Sequence, residues 1–405
     1  MYRPPILLIL VFGGWAWVSR SCTAAGMSLE LVCGRPGGSL RPATVLRATI
    51  CLLDAVLLCR FLPFVAAGLG SEHWAAWTLV SDLCAYTVCV LALIYPPSKL
   101  FGGVPSAESA WAHAKYGGSL AAETGFARNE LLEATWDALM APLAPVTFWH
   151  VIVADYATSL AKAFGDVHVT ACVASTEIFD AALSSMPQHN IWWNEQRGPC
   201  VTSVVNASAL ALPFWCRLFQ CLAVYRRTRE QKNLWNALKY ATAFPLVLAG
   251  YLERIESTPR TRALFVAAAV VQSTATFSWD VFMDWGLFKR QQGGPIFGVF
   301  AAEFRPQPSL VFRGVESKST YALLVAFNLA LRFVWALAIF GGSPTRGFGM
   351  LAFEAAEILR RTVWALFRIE WEYMHLDLPV TLPKPVQSSS SEEEEEEEDD
   401  SEEKS

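Results

Sequence analysis

Apolar runs long enough to cross a bilayer as helices recur along the whole chain. They fall at about 5–19, 44–70, 74–96, 142–163, 167–183, 201–224, 235–251, 262–287, 320–341 and 349–373. The pattern predicts an all-α, polytopic membrane protein with about ten transmembrane helices around a polar central path. The first run is short enough for a signal peptide. It lacks a small-residue cleavage site, however, and Trp15 and Trp17 suit a retained anchor. Residues 97–136 are polar and predict an extramembrane stretch with a short amphipathic helix; 289–319 predict a second long loop, rich in Gly and Pro. From 377 onward, "LPVTLPKPVQSSSSEEEE" has too little apolar area to order itself. Three segments result: 1–136, N-terminal transmembrane helices and the polar loop; 137–376, a transmembrane core; and 377–405, a disordered acidic tail.

Composition strengthens this reading. The chain is 53% hydrophobic with 16 tryptophans and 25 phenylalanines, its mean hydropathy is +0.32, and only 17% of residues are charged. Soluble domains carry roughly a quarter. The net charge of −5 comes from the tail: residues 391–405 hold eleven acids and one lysine, and without them the balance is 31 basic to 26 acidic. Basic 225–232 (YRRTREQK) favours the cytosol, but 253–262 (ERIESTPRTR) belongs on the opposite face and is also basic, so charge counting leaves orientation open. An even helix number places both termini on one side, and the serine-rich acidic tail is reachable by kinases only in the cytosol.

Chemistry-bearing motifs are few. No Walker loop, HExxH, GxSxG, CxxC or histidine cluster occurs, which argues against an ATP-driven pump, an enzyme, a metal site or any cofactor. Nothing points to a nucleic-acid partner. The ten cysteines lie mostly in apolar runs and read as small buried hydrophobes. Cys172 and Cys200 flank a polar stretch that could face an oxidising lumen, and form a candidate disulfide. The sequon Asn206-Ala-Ser sits in an apolar run and is expected to stay unmodified.

Charges inside the apolar runs are the strongest signal. An Arg, Lys or Asp at a helix centre costs on the order of 2.5–3.5 kcal/mol on insertion scales. Such residues usually face a bundle interior or a watery cavity. Here they share faces at helical spacing. Asp155, Thr158, Ser159, Lys162 and Asp166 form one stripe; Ser273, Thr276, Asp280 and Asp284 another; Asn328, Arg332 and Trp335 a third. Glu354, Glu357, Arg361, Trp364 and Arg368 form a fourth, with Arg360 beside it. Asn236, Lys239 and Tyr240 form a shorter one, and Arg217 and Gln220 a pair. Taken singly, each charge reads as a packing device; Glu357 and Arg361, four apart, suit an ion pair. Taken together, convergent stripes would line a polar path with surplus positive charge. Guanidinium forks there match phosphate or carboxylate oxygens. The acids would orient the cations, and Trp335 and Trp364 would narrow the path as gates.

At these residues the sequence resembles the EXS-domain family, which includes the xenotropic retrovirus receptor phosphate exporter, plant PHO-type exporters and yeast ERD-type Golgi proteins. The matching stretches are "ADYATSLAKAFGD" (154–166), "PFWCRLFQCLAVY" (213–225), "NALKY" (236–240), "SWDVFMDWGLF" (278–288), "LRFVWAL" (331–337) and "RRTVWALFRIEWE" (360–372). They run in family order over roughly 140–375, making 137–376 an EXS-like core. The resemblance implies ten helices that move inorganic phosphate. It carries phosphate-path roles onto Asp155, Thr158, Lys239, Asp280, Asp284, Arg332, Trp335, Glu357, Arg360 and Arg361. Departures stand at Ala223 and Val224, where a basic pair is usual, at Cys216 in place of a common tryptophan, and at Trp371 in place of a frequent asparagine. Larger exporters carry an N-terminal SPX domain; this sequence is a short form without one, so regulation by that route is not expected within the chain.

The expected function is a phosphate transporter or exporter in the Golgi or another endomembrane, with the plasma membrane as the other candidate, returning phosphate released by glycosylation to the cytosol. The alternative is a sorting factor that retains Golgi glycosyltransferases, directly or with sorting adaptors, its charges purely structural. Expected partners are inorganic phosphate, the lipid bilayer and a second copy of the chain as a homodimer.

Overall fold

A computed structural model describes residues 3–33, 42–68, 74–94, 146–183, 198–289, 303–304, 309–311, 317–340 and 348–376. The stretch 97–136 and the tail from 377 lie outside them. The described residues are overwhelmingly helical: α1 (Arg3–Ala24), α2 (Leu29–Cys33), α3 (Pro42–Gly68), α4 (Trp74–Ile94), α5 (Phe148–Ser159), α6 (Ala161–Leu183), α7 (Val204–Thr228), α8 (Gln231–Ala241), α9 (Ala243–Ile255), α10 (Pro259–Trp279), α11 (Ser317–Arg332), α12 (Trp335–Phe340) and α13 (Phe348–Met374). A π-helical turn, Asp280–Asp284, ends α10, and Phe288–Lys289 pairs antiparallel with Glu303–Phe304. Among the described residues, four helical stretches are long and apolar enough to cross a membrane by themselves: Arg3–Ala24, Gly198–Thr228, Pro259–Asp284 and Lys318–Leu337.

Local chemistry sets several boundaries. Thr258 caps α10, its hydroxyl accepting from the Thr261 N–H (3.2 Å), with Pro259 in the first turn where its missing N–H costs nothing. Ser203 caps α7 by accepting from Val205 N–H (3.1 Å), and Arg229 closes it in the left-handed conformation (φ 57°).

The expected spans at 142–163 and 167–183 are one pass. Residues α5 and α6 are separated only by Leu160, whose N–H still reaches the Tyr156 carbonyl (3.1 Å) while Phe164 N–H reaches Leu160 O (3.2 Å). Phe164-Gly165-Asp166 reads as a break in the hydropathy pattern, but the helix runs through it. Gly165 packs closely against Asn206 and Leu210 of α7, and Asp166 is held by Arg3 (2.6 Å). Conversely, the run at 235–251 is broken at Thr242 into α8 and α9, and that at 320–341 at Phe333–Val334 into α11 and α12. Among the described residues the ten expected runs therefore do not map one to one onto helices.

Helix α1 runs parallel to α13. Arg3 pairs with Glu354 (2.8 Å), Leu7 packs with Ile358 and Ala163, and Gly14 lies against Thr362. At Gly14 an added Cβ would collide with the Thr362 hydroxyl; the missing side chain is what lets the two helices approach. Arg3 and Met374 therefore lie at opposite ends of the bundle. The paired hairpin α3–α4 packs beside α1 through Ile9, Leu52, Val56, Ala85 and Cys89. Leu57, Leu58, Phe61 and Phe64 of α3 stay exposed, as lipid-facing residues do.

Candidate functional site

Three carboxylates organise the interior. Asp155 on α5 accepts from Arg217 Nε (2.8 Å) and Tyr240 Oη (2.6 Å). Arg217 also donates to Gln220 Oε1 (2.6 Å) and Tyr240 Oη (3.1 Å), so α5, α7 and α8 meet at one buried knot. Asp280, at the start of the π turn, accepts through Oδ2 from Arg332 (2.7 Å), Asn328 (3.1 Å) and Arg360 (3.4 Å). Asp284, at its end, accepts from two indoles: Trp279 Nε1 on Oδ1 (3.2 Å) and Trp364 Nε1 on Oδ2 (3.1 Å). Trp285 N–H reaching Asp280 O (3.0 Å) is the i→i+5 bond that widens this turn.

The cations divide into two groups. Arg360 is saturated: Nε and Nη2 hold both oxygens of Glu357 (2.9 and 2.7 Å), and Nη1 reaches Asn328 Oδ1 (3.2 Å) and Asp280. The ion pair expected between Glu357 and Arg361 is therefore made with Arg360, three residues on, because that guanidinium meets the carboxylate side-on with two parallel bonds. Arg361 instead meets hydroxyls, Ser159 Oγ (3.0 Å) and Thr158 Oγ1 (3.4 Å), and lies 4.5 Å from the Trp364 ring centroid. Lys239 Nζ sits 4.1 Å from the Tyr240 ring and 5.1 Å from that of Trp279. Neither Lys239 nor Arg361 has a carboxylate within 4.0 Å among the described residues, yet they are only 8% and 6% exposed. Their aromatic backings, Trp279 and Trp364, are the two indoles that share Asp284.

A family model described as "EXS family" matches residues 1–374. The chain belongs to the EXS family. Human "Solute carrier family 53 member 1" is 29% identical over 263 residues, covering 60% of this chain and 35% of that protein. "Xenotropic and polytropic retrovirus receptor 1 homolog" of Danio rerio is 28% identical over 257 residues, with the same coverage of 60% and 35%. "SPX and EXS domain-containing protein 1" of Dictyostelium discoideum is 26% identical over 248 residues, covering 58% of this chain and 24% of that protein. The matched region of this EXS protein thus spans about a third or less of the length of these curated relatives. Family membership and the apolar helices make it a multi-pass integral membrane protein.

In this EXS chain all ten residues expected on the path lie inside the bundle, spread over α5, α8, the π turn, α11, α12 and α13. Trp335 donates to Ser273 Oγ (3.0 Å), one pair of stripes thus touching directly. Trp364 is 2% exposed, and its indole N–H is held by Asp284. Arg217, Tyr240, Ser159 and Asn328 complete the network, although sequence reasoning left them out of the site. All four lie on the polar stripes, and that was the signal available for them. Cys172 and Cys200 are joined (Cα–Cα 6.0 Å), and Asn206 is buried with its amide donating to Val201 O (2.8 Å). Among the described residues no cluster of three metal-ligating side chains occurs.

Proposed function

We propose that this EXS protein passes inorganic phosphate through the bundle, with Lys239 and Arg361 as the residues that hold the anion. The supporting observation is that these two buried cations face aromatic rings and hydroxyls instead of carboxylates. A buried charge without a counter-ion is costly, and a phosphate would supply one. The oxyanion would replace the hydroxyl contacts of Arg361 with stronger charge-assisted bonds. Asp284 lies behind both aromatic backings and keeps the net field moderate, so that the anion enters without being trapped. Arg332 and Arg360, neutralised by Asp280 and Glu357, shape the path and do not carry the anion by themselves. The name of the human relative, a solute carrier, agrees with transport.

We also infer that the end carrying Cys172–Cys200 faces an oxidising lumen, since disulfides persist there. The exposed Arg226, Arg227 and Arg229 at the far end of α7 then face the cytosol, with Arg254, Arg260 and Arg262 toward the disulfide end. Movement from a Golgi lumen to the cytosol, recycling phosphate released by glycosylation, fits that orientation. Uptake of radiolabelled phosphate by proteoliposomes of purified protein tests the reading. Flux lost on Arg361→Ala in protein that still melts cooperatively supports it. Absence of flux in folded wild type, with loss of glycosyltransferase retention in cells lacking the protein, supports the sorting role instead.

A further inference from the structure

We propose that Lys162 is an outer receiving cation for the transported anion, at the end of the bundle that carries the Cys172–Cys200 disulfide; this rests on the phosphate reading above. The residue stands on the inward face of α6. At about 100° per residue, Gly165, Val169 and Val173 share its side of the helix, and all three are buried. Phe164 and Val167, turned the other way, are exposed as lipid-facing residues are. Lys162 is nevertheless exposed. An exposed lysine in the middle of a helix's packed face opens onto an internal, water-accessible space, not onto acyl chains.

Its neighbours place it on the path. Three residues earlier, Ser159 donates to Glu357 (2.7 Å) and accepts from Arg361 (3.0 Å). Four residues later, Asp166 holds Arg3 (2.6 Å), which also holds Glu354 (2.8 Å). Lys162 is therefore about 4.5 Å along the axis from the stripe position that binds Arg361, between the buried site and a rim formed by α1, α6 and α13. Glu354, Glu357, Arg3 and Arg254 are the charged groups around it. Arg3 is doubly paired, whereas Lys162 has no carboxylate within 4.0 Å among the described residues. An arriving oxyanion meets this free ammonium first. A single turn of helix then separates it from Arg361. The opposite traverse uses the same step in reverse.

Two measurements test this. In proteoliposomes of known orientation, Lys162→Met should raise the apparent KM for phosphate presented at the disulfide end by about fivefold. It should leave the KM from the other end within about twofold, and Lys162→Arg should restore the wild-type value. Equal changes at both ends, or none, overturn the assignment. Independently of flux, a membrane-impermeant amine-reactive ester applied at the disulfide end of the wild-type protein should modify Lys162, read by mass spectrometry of its peptide. Inorganic phosphate should slow that reaction. Labelling only from the opposite end, or labelling indifferent to phosphate, overturns the proposal. Phosphate-protected labelling without any wild-type flux keeps the receiving role and overturns the transport reading.

Discussion

Arg360 and Arg361 are adjacent in sequence and opposite in circumstance. Arg360 spends its donors on Glu357, Asn328 and Asp280, while Arg361 rests on two hydroxyls and the face of Trp364. Substitutions should separate them. Arg361→Gln is expected to reduce phosphate flux at least tenfold, about 1.4 kcal/mol or more, with little change in melting temperature. Arg360→Gln strands Glu357 and is expected to cost about 3–5 kcal/mol of stability. Thermal unfolding in detergent beside flux in liposomes checks both. A stable Arg360→Gln protein would contradict the division of roles.

Asp280 gathers donors from α11 and α13 onto one oxygen. Asp280→Ala leaves Arg332 without its ion pair and should lower the melting temperature more than Asp280→Asn, which keeps an acceptor at that position. Equal melting of the two variants would mean that the contacts add nothing.

The indole of Trp364 does two things, donating to Asp284 and lying against Arg361. Trp364→Phe keeps the ring and removes the donor; Trp364→Leu removes both. Flux should fall in that order, with the larger step at the loss of the ring if the cation–π contact, worth about 2 kcal/mol when desolvated, positions Arg361. Equal flux in the two variants would leave only the hydrogen bond.

Cys172 and Cys200 close a loop across a separation of 28 residues. Removing the bridge by Cys172→Ser should cost about 3.6 kcal/mol in the chain-entropy account. The thiols of the native protein should resist alkylation until reduced. Ready alkylation of Cys172 without reductant would count against both the bond and the lumenal placement.

The polar stripes were legible because period 3.6 is fixed by the helix itself and charge in an apolar run is costly wherever it occurs. That is why Asp155, Lys239, Asp280 and Arg332 could be found without coordinates. Partner choice was less visible. Glu357 lies within reach of both Arg360 and Arg361 along one helix, and the hydroxyls of Thr158 and Ser159, distant in sequence, are what Arg361 meets instead. Arg217 lay on a pair with Gln220, too short a stripe to stand out, yet it binds Asp155 as closely as Arg332 binds Asp280. The continuity of α5 and α6 was hidden because the apolar run lapses at Phe164-Gly165-Asp166. What makes them helical is tertiary: the flank of α7 and the side chain of Arg3. The break at Thr242 was announced by Pro245, which has no N–H to bond the Ala241 carbonyl, whereas that at Phe333 carries no Gly or Pro.

Glu370 is fully buried near the far end of α13. It accepts from Ser309 Oγ (2.9 Å), from the N–H groups of Leu310 and Val311, and from Tyr321 Oη (3.3 Å). The same helix carries Glu357, Arg360, Arg361 and Trp364. A helix tied at one end to residues 309–311, and carrying at its middle the residues proposed to hold the anion, cannot slide or rotate without dragging that turn along. A displacement of Ser309, Leu310 and Val311 would thereby be transmitted, mechanically, to the proposed anion contacts.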